Sequence, residues 1–381
     1  MDALNTYIKA RTFERPTLVI DVDQVEKNYH ALKQGMSSAF IHYAVKSNPH
    51  SEILKRLVAL GCRFDAASRG EIELCLAAGA DPKHISFGNT VKKPRDIEYA
   101  RSVGVDLFSV DAEEEMEKIA RHAPGSKVFV RVLMRSTEAE WPLSRKFGCS
   151  SSMVVPLMDL AVKLGLNPIG LSFHVGSQTR HPHMWYDSLD AVAAIWHNAC
   201  EHGHELSLLN IGGGFPAYYG IDVTDSTTYG ANILAYVQQK FGGVEYIMAE
   251  PGRGLVGNAG AIAAEVLLVS RKTQGDPVRW VYLNIGRFGG LAETEQEAIK
   301  YQFLVPGREH SETAPCIMAG PTCDSADVLY EKHHVQLPVD LASGDQIIIQ
   351  TCGAYTSTYS SVAFNGFEPL SVEILPVDIN T

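Results

Sequence analysis

Lys46 follows the apolar run YAV and precedes SNP. A strand ending there presents a primary amine at its carboxyl end, and apolar walls around such an amine would lower its pKa toward a nucleophilic, Schiff-base-forming state. A lysine taken alone is more often a solvated surface residue; its neighbours argue for chemistry. Asp65 and Ser68 close the run RFDAAS, Arg131 lies in KVFVRVL, and His174 and Ser177 lie in PIGLSFHVGS. Gly212 to Gly214 end LSLLNIGGGF, and Glu250 and Arg253 end EYIMAEPGR. GGGFP at 212 to 216 offers backbone N–H groups free of Cβ crowding, and with Ser177 and the GRG at 252 to 254 it forms a candidate phosphate cradle. Three glycines alone are more often a turn; Arg253 supplies the cation that makes a cradle of them. Glu250 stands beside the cradle, where a carboxylate either bonds a protonated ring nitrogen of a flat cofactor or pairs with Arg253. His174 either stacks on such a ring or is an ordinary satisfied histidine. Walker and Rossmann patterns are absent, which disfavours ATP and NAD.

The elements that must position these residues follow from periodicity. Eight short β-branched or aromatic runs, at 40–48, 63–68, 84–89, 106–110, 127–133, 168–177, 206–215 and 245–253, alternate with amphipathic segments such as SEILKRLVALG, RGEIELCLAAGA, DAEEEMEKIARHA, SMVVPLMDLAVKLG and NILAYVQQKFGG. Eight strand–helix units predict an α/β fold, a (β/α)8 TIM barrel, with the polar residues above gathered at the carboxyl ends of its strands. Beyond it, AIAAEVLLVS, VRWVYLNIG, PCIMAG, DQIIIQT and LSVEIL read as strands of a C-terminal mostly-β domain. The division expected is an N-terminal segment over 1–24, the barrel over 25–258 and the β domain over 259–381. TLVIDV at 17–22 either caps the barrel or crosses to pair in the β domain, and the sequence leaves both open.

Length and composition agree with a large globular chain. The 381 residues exceed one ordinary core, and 45% hydrophobic with 20% charged residues indicates neither disorder nor a fibrous repeat. A formal net charge of −11 with no basic cluster argues against nucleic acid as a partner. The seven cysteines are scattered, without C-x-x-C spacing, and suggest free thiols in a reducing compartment. MDALNTYIKARTFERP lacks an apolar signal core and no apolar run reaches bilayer-spanning length, so the expected location is the cytoplasm, away from membranes. No metal site is expected.

The motifs YAVKSN (43–48), FDAAS (64–68), FHVGSQ (173–178), IGGGFP (211–216), AEPGRG (249–254), GPTCDSAD (320–327), GAYT (353–356) and FNGF (364–367) run through almost the whole chain. In this order they resemble the fold-type III, alanine-racemase-like, pyridoxal-phosphate-dependent decarboxylases, the group of eukaryotic-type ornithine decarboxylase and the bacterial lysine/ornithine enzymes. The resemblance implies pyridoxal 5'-phosphate held as a Schiff base by Lys46, with His174 stacked on the ring and Glu250 on its nitrogen. It implies Ser177, Gly214, Gly252, Arg253 and Tyr355 at the phosphate, and Asp65 and Arg131 in the supporting shell. It further implies a homodimer with shared sites, Cys323 of one chain returning a proton to Cα and Asp324 binding the distal ammonium in the site of the other. Lys146 and Asp327 match a pair bridging the subunits, and Phe364 an aromatic at that interface and substrate site.

A carboxylate at 250 favours decarboxylation over racemisation, because it keeps the ring protonated as an electron sink. Cys323, as a buried thiol, suits a proton donor, although small buried cysteines are usually packing residues. The ammonium of a basic substrate needs a carboxylate. Asp324 is the first candidate; Glu297, aligned by spacing from Phe288 in IGRFGGLAETEQEAIKY, is the second, with Glu293 as fallback and a solvated helix face as the plain alternative. The expected reaction is L-ornithine to putrescine, with L-lysine to cadaverine beside it, in polyamine biosynthesis. The CDS triplet at 323–325 departs from the CES of diaminopimelate decarboxylases and lowers that alternative; a non-catalytic regulatory homologue is argued against by Lys46 and Cys323 together.

Overall fold

Strand and helix alternate because each short apolar run is buried on both faces while the segment after it carries one apolar stripe. In the computed structural model the described residues are 2–134 and 146–376. The strand Thr17–Ile20 (β1) precedes eight parallel strands: Phe40–Ala44 (β2), Arg63–Ala66 (β3), Ile85–Phe87 (β4), Leu107–Val110 (β5), Lys127–Arg131 (β6), Asn167–Ser172 (β7), Leu208–Asn210 (β8) and Tyr246–Ala249 (β9). These close into a barrel, β9 pairing back on β2 through Met248 with Phe40 and Ala249 with Ile41. The (β/α)8 barrel expected from the period is present.

The helices show their local causes. Helix Glu113–His122 opens on three glutamates, closes on Arg121 and His122, and buries Met116 and Ile119, so charge complements the helix dipole while the apolar stripe packs. Helix Arg69–Ala77 is capped by Ser68, whose hydroxyl accepts the Glu71 N–H at 3.2 Å, while the Glu71 carboxylate accepts the Ala67 N–H at 2.6 Å. That reciprocal cap occupies Ser68, which at a strand end had looked like part of the site. Helix Ser226–Phe241 starts six residues before the apolar segment that announced it, capped by Asp225 on the Thr228 N–H.

The second sheet comprises Gly260–Ser270 (β10), Arg279–Leu283 (β11), Phe303–Leu304 (β12), Thr313–Ala319 (β13), Val328–Pro338 (β14), Gln346–Ile349 (β15) and Ser371–Ile374 (β16), joined by β1. Its main order is β12-β15-β10-β11-β13-β14. β1 pairs antiparallel with β10 and parallel with β16, which settles the open position of TLVIDV. Helix Asp2–Lys9 contributes Leu4 and Ile8 to a core with Val19, Ala261, Ala263 and Ile348. β14 is an edge strand absent from the periodic reading: Glu331 to His334 are all exposed, so neither face alternates. By contacts the chain forms two compact units, one of residues 26–216 and 223–254, the other of residues 1–25, 217–222 and 255–381. The short segment 217–222, inside the span expected for the barrel, groups with the β unit, where the Tyr219 carbonyl accepts from Gln302 and its ring meets Tyr301 edge-on.

Ile8 is fully buried in that small core. Ile8→Ala should cost about 2 to 5 kcal/mol of unfolding free energy, read as a lower denaturant midpoint; an unchanged midpoint would mean the N-terminal helix does not dock.

Candidate active site

All eight barrel strands run the same way, so residues at their carboxyl ends converge on one rim. Lys46 stands exposed in a one-turn 3-10 segment, Val45–Ser47, directly after β2. Its surroundings are ionic rather than the apolar walls expected: it acts electrostatically on Asp65, Glu71, His174 and Glu250. Asp65, on β3, is buried beneath Gly88, where even a Cβ would meet its carboxylate. Burial raises the Asp65 pKa, opposed by Lys46, Arg131 and a hydrogen bond from Ser86. Arg131, the last residue of β6, also lies 5.1 Å from the Phe147 ring centre.

His174 follows β7. Its Nδ1 accepts the Gly176 N–H at 2.9 Å, fixing the ring, and burial with the nearby Arg131 and Lys46 charges holds its pKa well below the ordinary value. The ring is therefore neutral, with its proton on Nε2. Glu250, directly after β9, is pushed up to about 7, first by burial and then by the like charge of Asp65; an Asn210 hydrogen bond, Lys46 and Arg131 oppose this. Two carboxylates and two cations thus share one rim.

The cradle also assembles. Gly212 and Gly214 take positive φ values of 71° and 114°, and Arg253, 3% exposed, donates from Nη2 to the Ser177 hydroxyl at 3.2 Å. A glycine turn, a hydroxyl and a guanidinium at one place form the donor set a phosphate requires, so these residues fit a phosphorylated cofactor. Gly252 is buried between Glu250 and Arg253.

The remaining expected residues lie in the β unit. The 320–327 loop is organised by Asp327, 3% exposed, whose carboxylate accepts the Arg287 N–H and both the N–H and hydroxyl of Thr322. These bonds tie Asp327 to its own loop; Lys146, expected to pair with it across subunits, is exposed, with its amine over Phe147. Cys323 and Asp324 are exposed, so its own chain does not bury the thiol as expected. The Cys323 N–H is held by the Asn365 side chain at 3.0 Å, and Asp324 accepts the Ala326 N–H at 2.9 Å. Phe364 packs 5.0 Å from the Phe288 ring, and Tyr355, at φ 55°, lies 5.8 Å from the Tyr359 ring.

Glu297 is occupied. Its carboxylate accepts the backbone N–H groups of Glu331, Lys332 and His333 at 2.6 to 3.0 Å. It braces the exposed stretch of β14, whereas an amine-facing position was expected; Glu293 nearby is buried. Two residues that the reading of the sequence passed over carry polar contacts here, Asn210 and Asn365. The first directly precedes IGGGFP and the second lies inside FNGF, so adjacency to the glycines was the signal for both.

Residues 22–257 match the family model described as "Pyridoxal-dependent decarboxylase, pyridoxal binding domain". The lysine/ornithine decarboxylase of Selenomonas ruminantium is 32% identical over 364 residues, covering 94% of this chain and 89% of its own. Among solved structures, the lysine/ornithine decarboxylase of Vibrio vulnificus complexed with cadaverine superposes with TM-score 0.87 at 30% identity, over 98% of both chains. The arginine decarboxylase of Paramecium bursaria Chlorella virus bound to agmatine gives TM-score 0.87 at 29% identity, over 97% of this chain and 100% of that one.

Because the folded pKa of Glu250 lies above its unfolded value, the cofactor-free protein loses stability as pH rises from about 4.5 to about 7. Glu250→Gln should stabilise it above pH 7 by about 3 kcal/mol, the gain vanishing toward pH 4.5 in melting curves; a pH-independent difference would contradict this. Glu297→Ala should cost roughly 1 to 3 kcal/mol by exchanging three bonds to a carboxylate for bonds to water while leaving substrate KM unchanged, and a large rise in KM would return Glu297 to the substrate.

Proposed function

The chain belongs to the pyridoxal-dependent decarboxylases, PLP-dependent carboxy-lyases, and on that premise we propose that it removes CO2 from a basic amino acid, L-ornithine first and L-lysine beside it. The products would be putrescine and cadaverine, placing the enzyme in polyamine biosynthesis. The observation that carries this reading is the meeting of Lys46, Asp65, His174 and Glu250 on the rim that also holds the Ser177–Arg253 cradle. Pyridoxal phosphate, when bound, supplies a protonated ring that accepts the electron pair left by departing CO2.

The side chains divide the remaining work. Lys46 offers the amine that anchors the cofactor, and the neutral His174 ring can lie flat on an aromatic face without charge repulsion. Glu250 holds the ring nitrogen's proton in place, which an arginine would not. Ser177, Gly214, Gly252 and Arg253 hold the phosphate, while Asp65 and Arg131 balance charge behind it. We assign Asp324 to the distal ammonium and Cys323 to proton return at Cα, both donated by a second copy of the chain. Their exposure on the 320–327 loop leaves them available to that copy. A carboxylate waiting for an ammonium penalises neutral side chains. The seven cysteines are unpaired, which supports a cytoplasmic location.

CO2 release should be measured from L-ornithine, L-lysine, L-arginine and meso-diaminopimelate side by side with pyridoxal phosphate supplied. One methylene separates ornithine from lysine, so their kcat/KM values should differ by only about 10- to 200-fold; turnover of meso-diaminopimelate alone would overturn the substrate assignment. Lys46→Ala should lose both the absorption band of the lysine-bound cofactor and turnover. Mixing inactive Lys46→Ala with inactive Cys323→Ala chains should restore part of the activity, and no recovery after verified subunit exchange would remove the shared site.

A further inference from the structure

Asn210, the last residue of β8, is 1% exposed and uses both ends of its amide. Its Oδ1 accepts the Gly212 N–H at 2.8 Å, and its Nδ2 donates to Glu250 Oε1. The two ends are not interchangeable. A backbone N–H can only be met by the oxygen, so the Gly212 amide dictates that the NH2 group faces the carboxylate. Gly212 itself is fixed in this role, because at φ 71° its missing Cβ would lie 2.1 Å from the Phe173 carbonyl.

Few side chains fit both demands. Aspartate would satisfy Gly212 but bring another anion against Glu250, and alanine would satisfy neither. The charges that face Glu250 come from three strands: the like charge of Asp65 on β3, and the opposite charges of Lys46 after β2 and Arg131 on β6; His174 beside them is neutral. Burial and Asp65 raise the Glu250 pKa, and the Asn210 N–H lowers it. Of the influences that favour the ionised carboxylate, the Asn210 hydrogen bond is the largest, ahead of Lys46 and Arg131.

We propose that Asn210 is a positioning residue that keeps Glu250 ionised and in one orientation, and thereby sets the pH below which the protein loosens its grip on the cofactor. This rests on the reading of Glu250 as the partner of the ring nitrogen. An ionised Glu250 is needed in the loaded protein, so when the cofactor arrives with its ring nitrogen already protonated, a protonated Glu250 must release its proton to solvent, and affinity falls as pH drops below the Glu250 pKa. Lowering the pKa through Asn210 extends firm binding to more acidic conditions.

The test titrates cofactor-free protein with pyridoxal phosphate from pH 5.5 to 8.5 and reads the dissociation constant from absorbance, in wild type, Asn210→Asp, Asn210→Ala and Glu250→Gln. Wild type should show weakening below a break near neutral pH, and Glu250→Gln should lack that break. Asn210→Asp should move the break up by about one pH unit, with roughly fivefold weaker binding at pH 7 and about tenfold weaker binding well below it. Asn210→Ala should move it the same way by less, and it carries the test should the aspartate variant not fold by circular dichroism. If both Asn210 variants keep the wild-type break, or weaken binding equally at every pH, while Glu250→Gln still removes the break, the proposal fails and the Glu250 assignment survives. If Glu250→Gln keeps the break, both fall.

Discussion

A parallel sheet closed on itself leaves no edge, and every strand in it ends on the same side. Everything chemical in the barrel depends on this constraint. Lys46, Asp65, Arg131, His174, Asn210 and Glu250 span more than half of the chain, yet each stands at or directly after the carboxyl end of its own strand. Lengthening or slipping a strand by one residue would turn its functional side chain into the wall.

The two ends of the barrel spend their polar residues differently. At the amino ends of β2, β3 and β9, Arg63 lies 3.9 Å over the Phe40 ring, Phe40 stacks on Tyr246 at 4.4 Å, and His42 bonds the Tyr246 hydroxyl at 2.8 Å. Burial and the Arg63 charge press the His42 pKa down to about 3, so this plug holds a neutral ring and a satisfied phenol. At the carboxyl ends the carboxylates are not neutralised one by one. Asp65 and Glu250 press on each other and on Lys46 and Arg131, and a group whose charge is so balanced is the usual mark of a working site.

In the β unit the same economy of polar groups serves architecture. Asp327 folds the loop that presents Cys323 and Asp324 by taking three donors at once, and Glu297 does likewise for the edge of β14. Both were legible in the sequence as acidic residues near a site. Glu297's three partners and Asp327's Arg287 partner are backbone amides 34 to 40 residues away, which no local pattern announces.

The order and type of the barrel elements were written in the sequence, because period 2 and period 3.6 are properties of consecutive residues. So was the placing of Lys46 after a strand and of the glycine run near Ser177 and Arg253, because strand ends and glycine runs are local. Tertiary structure alone decided three things. β1 lies between β10 and β16, since the pairing partner of a four-residue apolar strand is set by which edge is open. Ser68 became a helix cap and Glu297 a brace, since each carries several possible hydrogen bonds and the nearest unsatisfied backbone donors claim them. And Glu250 acquired its raised pKa and its bond to Asn210 because burial, like charge and a fixed amide meet there only once the barrel has closed. Local chemistry names the groups; distance in space, which sequence does not carry, determines what they do to one another.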